Sequence, residues 1–192
     1  MDHELQDKVK LKRDIRWLLL FFGIVVAICI AIFFLYLNHI PSYVTWQEKE
    51  IEAEIRGELK NKSFSIYDEN GNRTFTTDKK IKVQDILLTD LDGNGDSEIV
   101  ALVWKRGLYG KHRPFWIYRD EKKYSQHIFI YDVDSKGQVT EKWFASEIGI
   151  EIRTIELLES NDSILVTKTR DGEKHLWRWE DFGLKNVDRG TN

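Results

Sequence analysis

Asp90-Leu91-Asp92-Gly93-Asn94-Gly95-Asp96-Ser97-Glu98 lies between two apolar runs, Val83-Gln84-Asp85-Ile86-Leu87-Leu88 and Ile99-Val100-Ala101-Leu102-Val103-Trp104. The flanks are β-branched and short, and an Asp/Asn/Gly cluster separates them, which predicts strand–loop–strand. Oxygen-bearing side chains at Asp90, Asp92, Asn94 and Glu98 occupy loop positions one, three, five and nine. Gly93 and Gly95 permit the positive φ values that fold such a loop around one point. Hard divalent cations take six to eight oxygens, and this spacing supplies most of them. A metal-free hairpin turn of the same composition is the alternative.

An EF-hand needs a bidentate Glu at position twelve and a helix on each side. Position twelve here is Ala101, and both flanks are strand-like. The loop instead resembles the calcium loops of FG-GAP and VCBS-type β-propeller repeats, whose ninth position carries a carboxylate, as Glu98 does. That resemblance implies a calcium ion held by the side chains of Asp90, Asp92, Asn94 and Glu98 and by the backbone carbonyl of Asp96. Its specific motif is confined to 85–100, within a looser likeness over about 50–187.

Outward from this segment, short strands and turns recur. Ile51 to Leu59 alternates apolar or small residues with charged ones and predicts one half-buried strand. Ser63–Asp68 and Arg73–Thr77 flank a turn containing Asn70-Gly71, a favoured hairpin pair. Gln126–Asp132 and Val139–Phe144 flank Asp134-Ser135-Lys136-Gly137. Ile152–Glu159 and Ile164–Thr169 are joined by Ser160–Ser163, which lacks the carboxylate spacing of a second calcium loop. Lys174–Glu180 follows, and a polar tail follows Val187.

Phe64-Ser-Ile-Tyr-Asp, Ile128-Phe-Ile-Tyr-Asp and Leu176-Trp-Arg-Trp-Glu repeat one pattern, 64 and then 48 residues apart. About four strands per period is the signature of propeller blades. The expectation is an all-β domain of propeller-blade-like antiparallel sheets, two units and a leading fragment, with a compact β-sandwich as the alternative. So few units leave sheet edges and faces for a partner protein or further copies of the chain.

Trp17 to Leu37 is an uncharged apolar run of 21 residues. As a helix it is about 31 Å long, the hydrocarbon thickness of a bilayer. A signal-peptide core is shorter and ends in a small-x-small site, so the run reads as an uncleaved signal anchor. Ile28 before Cys29 does not fit lipidation. Lys8, Lys10, Lys12, Arg13 and Arg16 precede the run, and only Lys49 lies in the fifteen residues after it. The positive-inside rule then gives residues 1–16 a cytoplasmic place, 17–37 a single crossing of the plasma membrane, 38–48 a juxtamembrane linker, 49–187 an extracytoplasmic β domain and 188–192 a tail. Tyr43 and Trp46 are expected at headgroup level. Cys29 is the one cysteine, so no disulfide forms within the domain. That absence and the Lys, Ile and Glu content suit a bacterial cell envelope.

Lys105 to Tyr124 is longer than a hairpin needs, and long loops in compact domains carry function. Arg106, Tyr109, Lys111, His112, Arg113 and Trp116 suit an anionic polymer or envelope glycan through charge-assisted hydrogen bonds and stacking. Alternatively, Phe115 and Trp116 cover an open sheet edge. A net charge of −3 argues against nucleic acid. His127 and His175 hold equivalent repeat positions and read as structural. Trp177 and Trp179 are expected on opposite faces of their strand. Arg56, Arg153 and Arg178 are expected to be exposed.

The residues contain no Gly-x-Ser-x-Gly, phosphate-binding glycine loop or His-rich metal motif. The reading is therefore a membrane-anchored, calcium-binding, non-enzymatic binding module. The alternative is a glycan-processing hydrolase using two carboxylates, with Asp85 or Asp120 and Glu121 as candidates.

Overall fold

In the computed structural model the described residues are 2–52, 55–134, 136–159 and 161–188. The predicted strand positions Ala53 and Glu54 and the turn residues Ser135 and Ser160 lie outside them. The chain forms two compact units, one ending at His39 and one beginning at Ile40. The first is a single helix, α1 (Asp2–Leu37), which starts well before the apolar run. Its segment Ile15–Leu37 is long and apolar enough to cross a membrane once, with mean hydropathy 3.2.

The second unit is all β. Its strands are β1 (Lys49–Glu52), β2 (Arg56–Lys60), β3 (Ser63–Tyr67), β4 (Arg73–Thr76), β5 (Lys82–Thr89), β6 (Glu98–Arg106), β7 (Tyr124–Val133), β8 (Val139–Phe144), β9 (Ile152–Leu158), β10 (Asn161–Thr169), β11 (Lys174–Glu180) and β12 (Gly183–Asn186). They form three four-stranded sheets in the orders β1-β2-β3-β4, β5-β6-β7-β8 and β9-β10-β11-β12. Each sheet is an antiparallel up-and-down meander, the topology of a propeller blade.

Three sequence expectations are corrected here. The run Ile51–Leu59 is not one strand but parts of β1 and β2, with Ile51 opposite Gly57 and Glu52 opposite Arg56. Alternation survives the reversal, so periodicity alone could not reveal it. The leading fragment is therefore a complete sheet, and β12 completes the third by pairing with β11. Trp177 and Trp179 pack against the same core, as residues two apart on a strand do.

The middle sheet decides the packing, because it is buried on both faces. Every residue of β6 from Glu98 to Trp104 is buried, which explains why the strand reads as a continuous apolar run. Ile99, Ala101 and Val103 of β6, with Phe129, Tyr131 and Val133 of β7, meet Leu59, Phe64 and Ile66 of the first sheet. Val100, Leu102, Ile128 and Ile130 meet Ile152, Ile155 and Leu165 of the third. The period of two thus feeds two cores from one sheet.

The first strands of the three sheets meet through polar groups. Lys49 Nζ lies 2.5 Å from Asp85 Oδ1 and donates to the Ile86 carbonyl at 3.1 Å. Gln84 Nε2 donates to the Arg153 carbonyl at 2.9 Å. Gln84 Oε1 accepts from Trp104 Nε1 and Gln126 Nε2, each at 2.8 Å. Gln126 also pairs with both backbone groups of Ile152, donating to its carbonyl and accepting from its N–H, each at 2.7 Å. Buried amides satisfied in this way fix one alignment of the sheets without leaving an unpaired group.

His127 is fully buried. Its Nδ1 lies 3.0 Å from the Ala145 carbonyl and its Nε2 lies 2.8 Å from Ser125 Oγ. Burial holds its pKa below the usual 6.5, although carbonyl contacts with Ala145 and Gly107 oppose the shift. The folded state therefore favours neutral imidazole, while the unfolded chain takes up a proton near pH 6.5. The resulting stability is present above that pH and is lost as pH falls through and below it. Thermal melts between pH 7.5 and 5.5 are expected to show this loss, and His127→Gln is expected to flatten it.

Residues 40–48, within the expected juxtamembrane linker, fall in the β unit. Gln47 N–H donates to the Gln84 carbonyl at 2.9 Å. Tyr43 lies under the Arg170 guanidinium, and Trp46 under the Lys62 ammonium at 4.3 Å. Both aromatic rings are therefore engaged by the domain itself.

Candidate metal centre and contact loop

The β5–β6 connection is folded by its own side chains. Asp90 Oδ1 accepts from the Asn94 N–H at 3.0 Å, and its Oδ2 accepts from Gly95 at 2.9 Å. Asp92 Oδ1 accepts from the Asn94 N–H at 3.2 Å, and Asn94 Oδ1 accepts from Asp96 at 2.7 Å. Gly93 and Gly95 adopt φ values of 74° and 96°, where a Cβ is strained. Asp90, Asp92 and Glu98 bring one carboxylate oxygen each within 4.8 Å of one another. The all-oxygen donor set fits a hard cation rather than a thiophilic one. Asn94 lies within the same loop, whereas the Asp96 carboxylate is outside the cluster.

Glu98 begins β6 and its side chain is 1 % exposed. Its Oε2 accepts from the Leu91 N–H at 2.7 Å. Burial pushes its pKa up, and hydrogen bonds from Lys142 and Leu91 work against that rise.

Lys142, on β8, was not foreseen from the sequence. Its ammonium lies 2.6 Å from Asp92 Oδ2, 2.7 Å from Glu98 Oε1 and 2.9 Å from Asp132 Oδ1. Burial works against its charge, but the hydrogen bonds to Asp92, Glu98 and Asp132 outweigh that and raise its pKa. The Trp179 ring covers it at 5.5 Å. Three carboxylates, Asp92, Glu98 and Asp132, contact the one ammonium and Asp90 lies beside two of them, a group with a formal charge of −3. The cluster has a built-in cation and remains strongly anionic.

The β6–β7 connection, residues 107–123, has a fixed base. Leu108 N–H donates to Asp120 Oδ1 at 2.8 Å, and Glu147 N–H donates to the Leu108 carbonyl at 2.6 Å. A Cβ on Gly110 would run into the Phe144 carbonyl, so this position requires glycine. Arg106 donates to the Lys122 carbonyl at 2.8 Å and lies over Tyr124. Tyr109 is half-buried, its carbonyl accepting from Lys105 Nζ. Lys111 pairs with Glu141 at 2.6 Å. These three predicted binding residues are engaged within the domain.

The tip is different. Ile117 N–H donates to the Pro114 carbonyl at 3.0 Å, closing a turn with Phe115 and Trp116 at its centre. Phe115 is 94 %, Trp116 70 % and Tyr118 83 % exposed. His112, Arg113 and Arg119 are exposed beside them, and Arg119 lies over the Tyr118 ring. Phe115 and Trp116 therefore cover no sheet edge. The predicted His112, Arg113 and Trp116 belong to this tip, and Phe115, Tyr118 and Arg119 complete it. An alternation of cations and aromatics through residue 119 was the signal for the added three.

The carboxylates considered for hydrolysis have structural partners. Asp85 pairs with Lys49 and caps its own chain at Ile86 N–H, and Asp120 holds Leu108 and Glu121 N–H. Glu121 faces Lys123 at 3.1 Å. His175 Nδ1 lies 2.9 Å from Asp188. Arg56, Arg153 and Arg178 are exposed, as expected. No family model, curated protein or solved structure matches the chain.

Proposed function

We propose that the chain is a membrane-tethered, non-enzymatic binding module of the cell envelope. Its rigid stack of sheets presents the aromatic and cationic tip of the β6–β7 connection to an anionic ligand, an envelope polymer or partner protein. The observation that carries this reading is the exposure of Phe115, Trp116 and Tyr118 on a loop whose base is fixed. Large aromatics left in water at the centre of a closed turn are contact residues in waiting. Arg113 and Arg119 supply charge-assisted hydrogen bonds at the same place.

In the same reading the acidic loop binds calcium through Asp90, Asp92 and Glu98, with Asn94 and the Asp96 carbonyl completing the set. The FG-GAP and VCBS-like spacing, the positive-φ glycines and the residual negative charge around Lys142 support it. The ion supplies fixed positive charge that ties β5, β6 and the loop together. The positive residues before Trp17 support a cytoplasmic N-terminus and an extracytoplasmic β domain.

The test is co-sedimentation of the detergent-solubilised full chain with anionic envelope polymers. Arg113→Ala with Trp116→Ala is expected to weaken binding at least about tenfold, which corresponds to 1.4 kcal/mol. Unchanged binding by the double variant would sink the contact-surface reading. Turnover of a purified envelope glycan would replace it with the hydrolase.

A further inference from the structure

The three meanders sort the connections of the β unit into two ends. At one end the chain joins the domain through residues 40–48. Contacts place the β2–β3 turn there, since Trp46 stacks with Lys62 and the Val83 N–H donates to the Lys62 carbonyl at 2.9 Å. The β10–β11 turn joins the same end through Arg170 over Tyr43. The base of the β6–β7 connection does so as well, because Lys105, Arg106 and Tyr124 share a cleft with Asp78, Lys80 and Ile81 of the β4–β5 connection. The aromatic tip thus springs from the end of the β unit that residues 40–48 occupy.

The other end carries the β5–β6 acidic loop, with the β7–β8 turn touching β4 through Thr74 and Gly137 at 2.6 Å. Ser163 of β10 faces the Asp90 carbonyl there. Charge divides between the ends. Residues 105–123 hold seven Lys and Arg against Asp120 and Glu121, a net charge of +5 in a chain of −3. The described far-end turn residues 68–72, 90–97, 134, 136–138, 159 and 181–182 hold eight Asp and Glu against Lys136. Acids at the joining end outside this loop are Glu48, Asp78, Glu147, Glu151, Asp171, Glu173 and Asp188, so positive charge there is concentrated in the 107–123 loop, whose own net charge is +3.

We propose that this loop docks the β domain onto an anionic phospholipid bilayer, deepening the reading of the loop as a contact surface, on which it rests. Phe115, Trp116 and Tyr118 enter the interface, where amphipathic aromatics are favoured, and Arg113 and Arg119 pair with lipid phosphates. The bilayer is the occupant because the chain carries an apolar segment long enough to cross one, and the loop sets exposed aromatics among cations. The opposite end is repelled by the same surface. Docking fixes which way the domain faces and directs the acidic loop away from the membrane.

The test uses the full chain in vesicles, with Cys29→Ser and an environment-sensitive fluorophore on Phe115→Cys or, separately, on Tyr118→Cys. Lys136→Cys at the far end is the control. With about 30 mol % phosphatidylglycerol, which attracts cationic segments, headgroup nitroxide lipids are expected to quench positions 115 and 118 several-fold more than 136. Pure phosphatidylcholine, or Arg113→Glu with Arg119→Glu, is expected to abolish the difference. Equal quenching at 115, 118 and 136 in phosphatidylglycerol vesicles overturns the proposal. So does tip protection confined to native membranes, which assigns the loop to a protein partner. Polymer binding retained by a chain that fails the vesicle test refutes docking while leaving the contact surface standing.

Discussion

Replacing Lys142 with Met is expected to destabilise the cation-free β domain by about 3–5 kcal/mol, the usual result of removing one partner from a buried ion pair. The cause is Glu98, whose side chain is 1 % exposed and then loses its only ammonium partner among the described residues. Asp92, at 18 % exposed, adds to the loss. Asp132, at 47 % exposed, remains solvated and contributes little. For a domain of this size the change lowers the melting temperature by about 2–4 °C per kcal/mol. Adding Glu98→Gln to Lys142→Met is expected to recover part of the stability, because it removes the stranded charge. A melting temperature unchanged by Lys142→Met would show that the ammonium is not what neutralises the cluster.

The second large effect is at the middle sheet. Phe129→Ala is expected to cost about 3–5 kcal/mol, through lost burial and the cavity left behind. Phe129 is 1 % exposed and stacks on Phe144 with ring centroids 4.0 Å apart and planes 4° apart. Phe144 in turn meets Tyr131 edge-on at 5.1 Å, and Tyr131 meets Phe75 of the first sheet at 5.6 Å. Truncating Phe129 therefore removes the stacking partner of Phe144 at the end of the aromatic chain that joins the first two sheets. Phe182→Ala is the matched control, since Phe182 is 91 % exposed and surface changes stay within about 0.5 kcal/mol. Urea melts of both variants provide the comparison. A Phe129→Ala loss as small as that of Phe182→Ala would contradict the assignment of the first core.

Local pattern made much of this legible. β5, the acidic loop and β6 follow from apolar runs around an Asp/Gly cluster, and the positive φ at Gly93 and Gly95 follows from the loop's spacing. The middle meander could be read in full, and most of the other two, from turn residues between alternating runs. What failed was information carried by distant or weak signals. Lys142 sits in Glu141-Lys142-Trp143, 44 residues after Glu98, and nothing local marks it as a partner of the acidic loop. The β1–β2 reversal carries no Gly, Pro or Asn, and β12 is only four residues long. Of the six loop residues expected to bind, His112, Arg113 and Trp116 belong to the exposed tip, and Arg106, Tyr109 and Lys111 are engaged within the domain. Charge type was visible there, whereas exposure depends on which side chains the base of the loop engages.

The acidic loop gathers carboxylates that could hold a metal ion and already has a lysine among them. If calcium binds there, it becomes most valuable when the lysine is gone. At one hundred times the dissociation constant, a ligand adds about 2.7 kcal/mol to the folded state, and extracellular modules bind calcium at about 10⁻⁴–10⁻³ M. The most direct measurement is the melting temperature of the Lys142→Met chain in EGTA and across a calcium titration into the millimolar range, with Asp92→Ala in the same background as control. The expected result is a saturable rise for Lys142→Met, a smaller rise for the wild type and none once Asp92 is removed. Superimposable melting curves with and without calcium, in both the wild type and Lys142→Met, would contradict it.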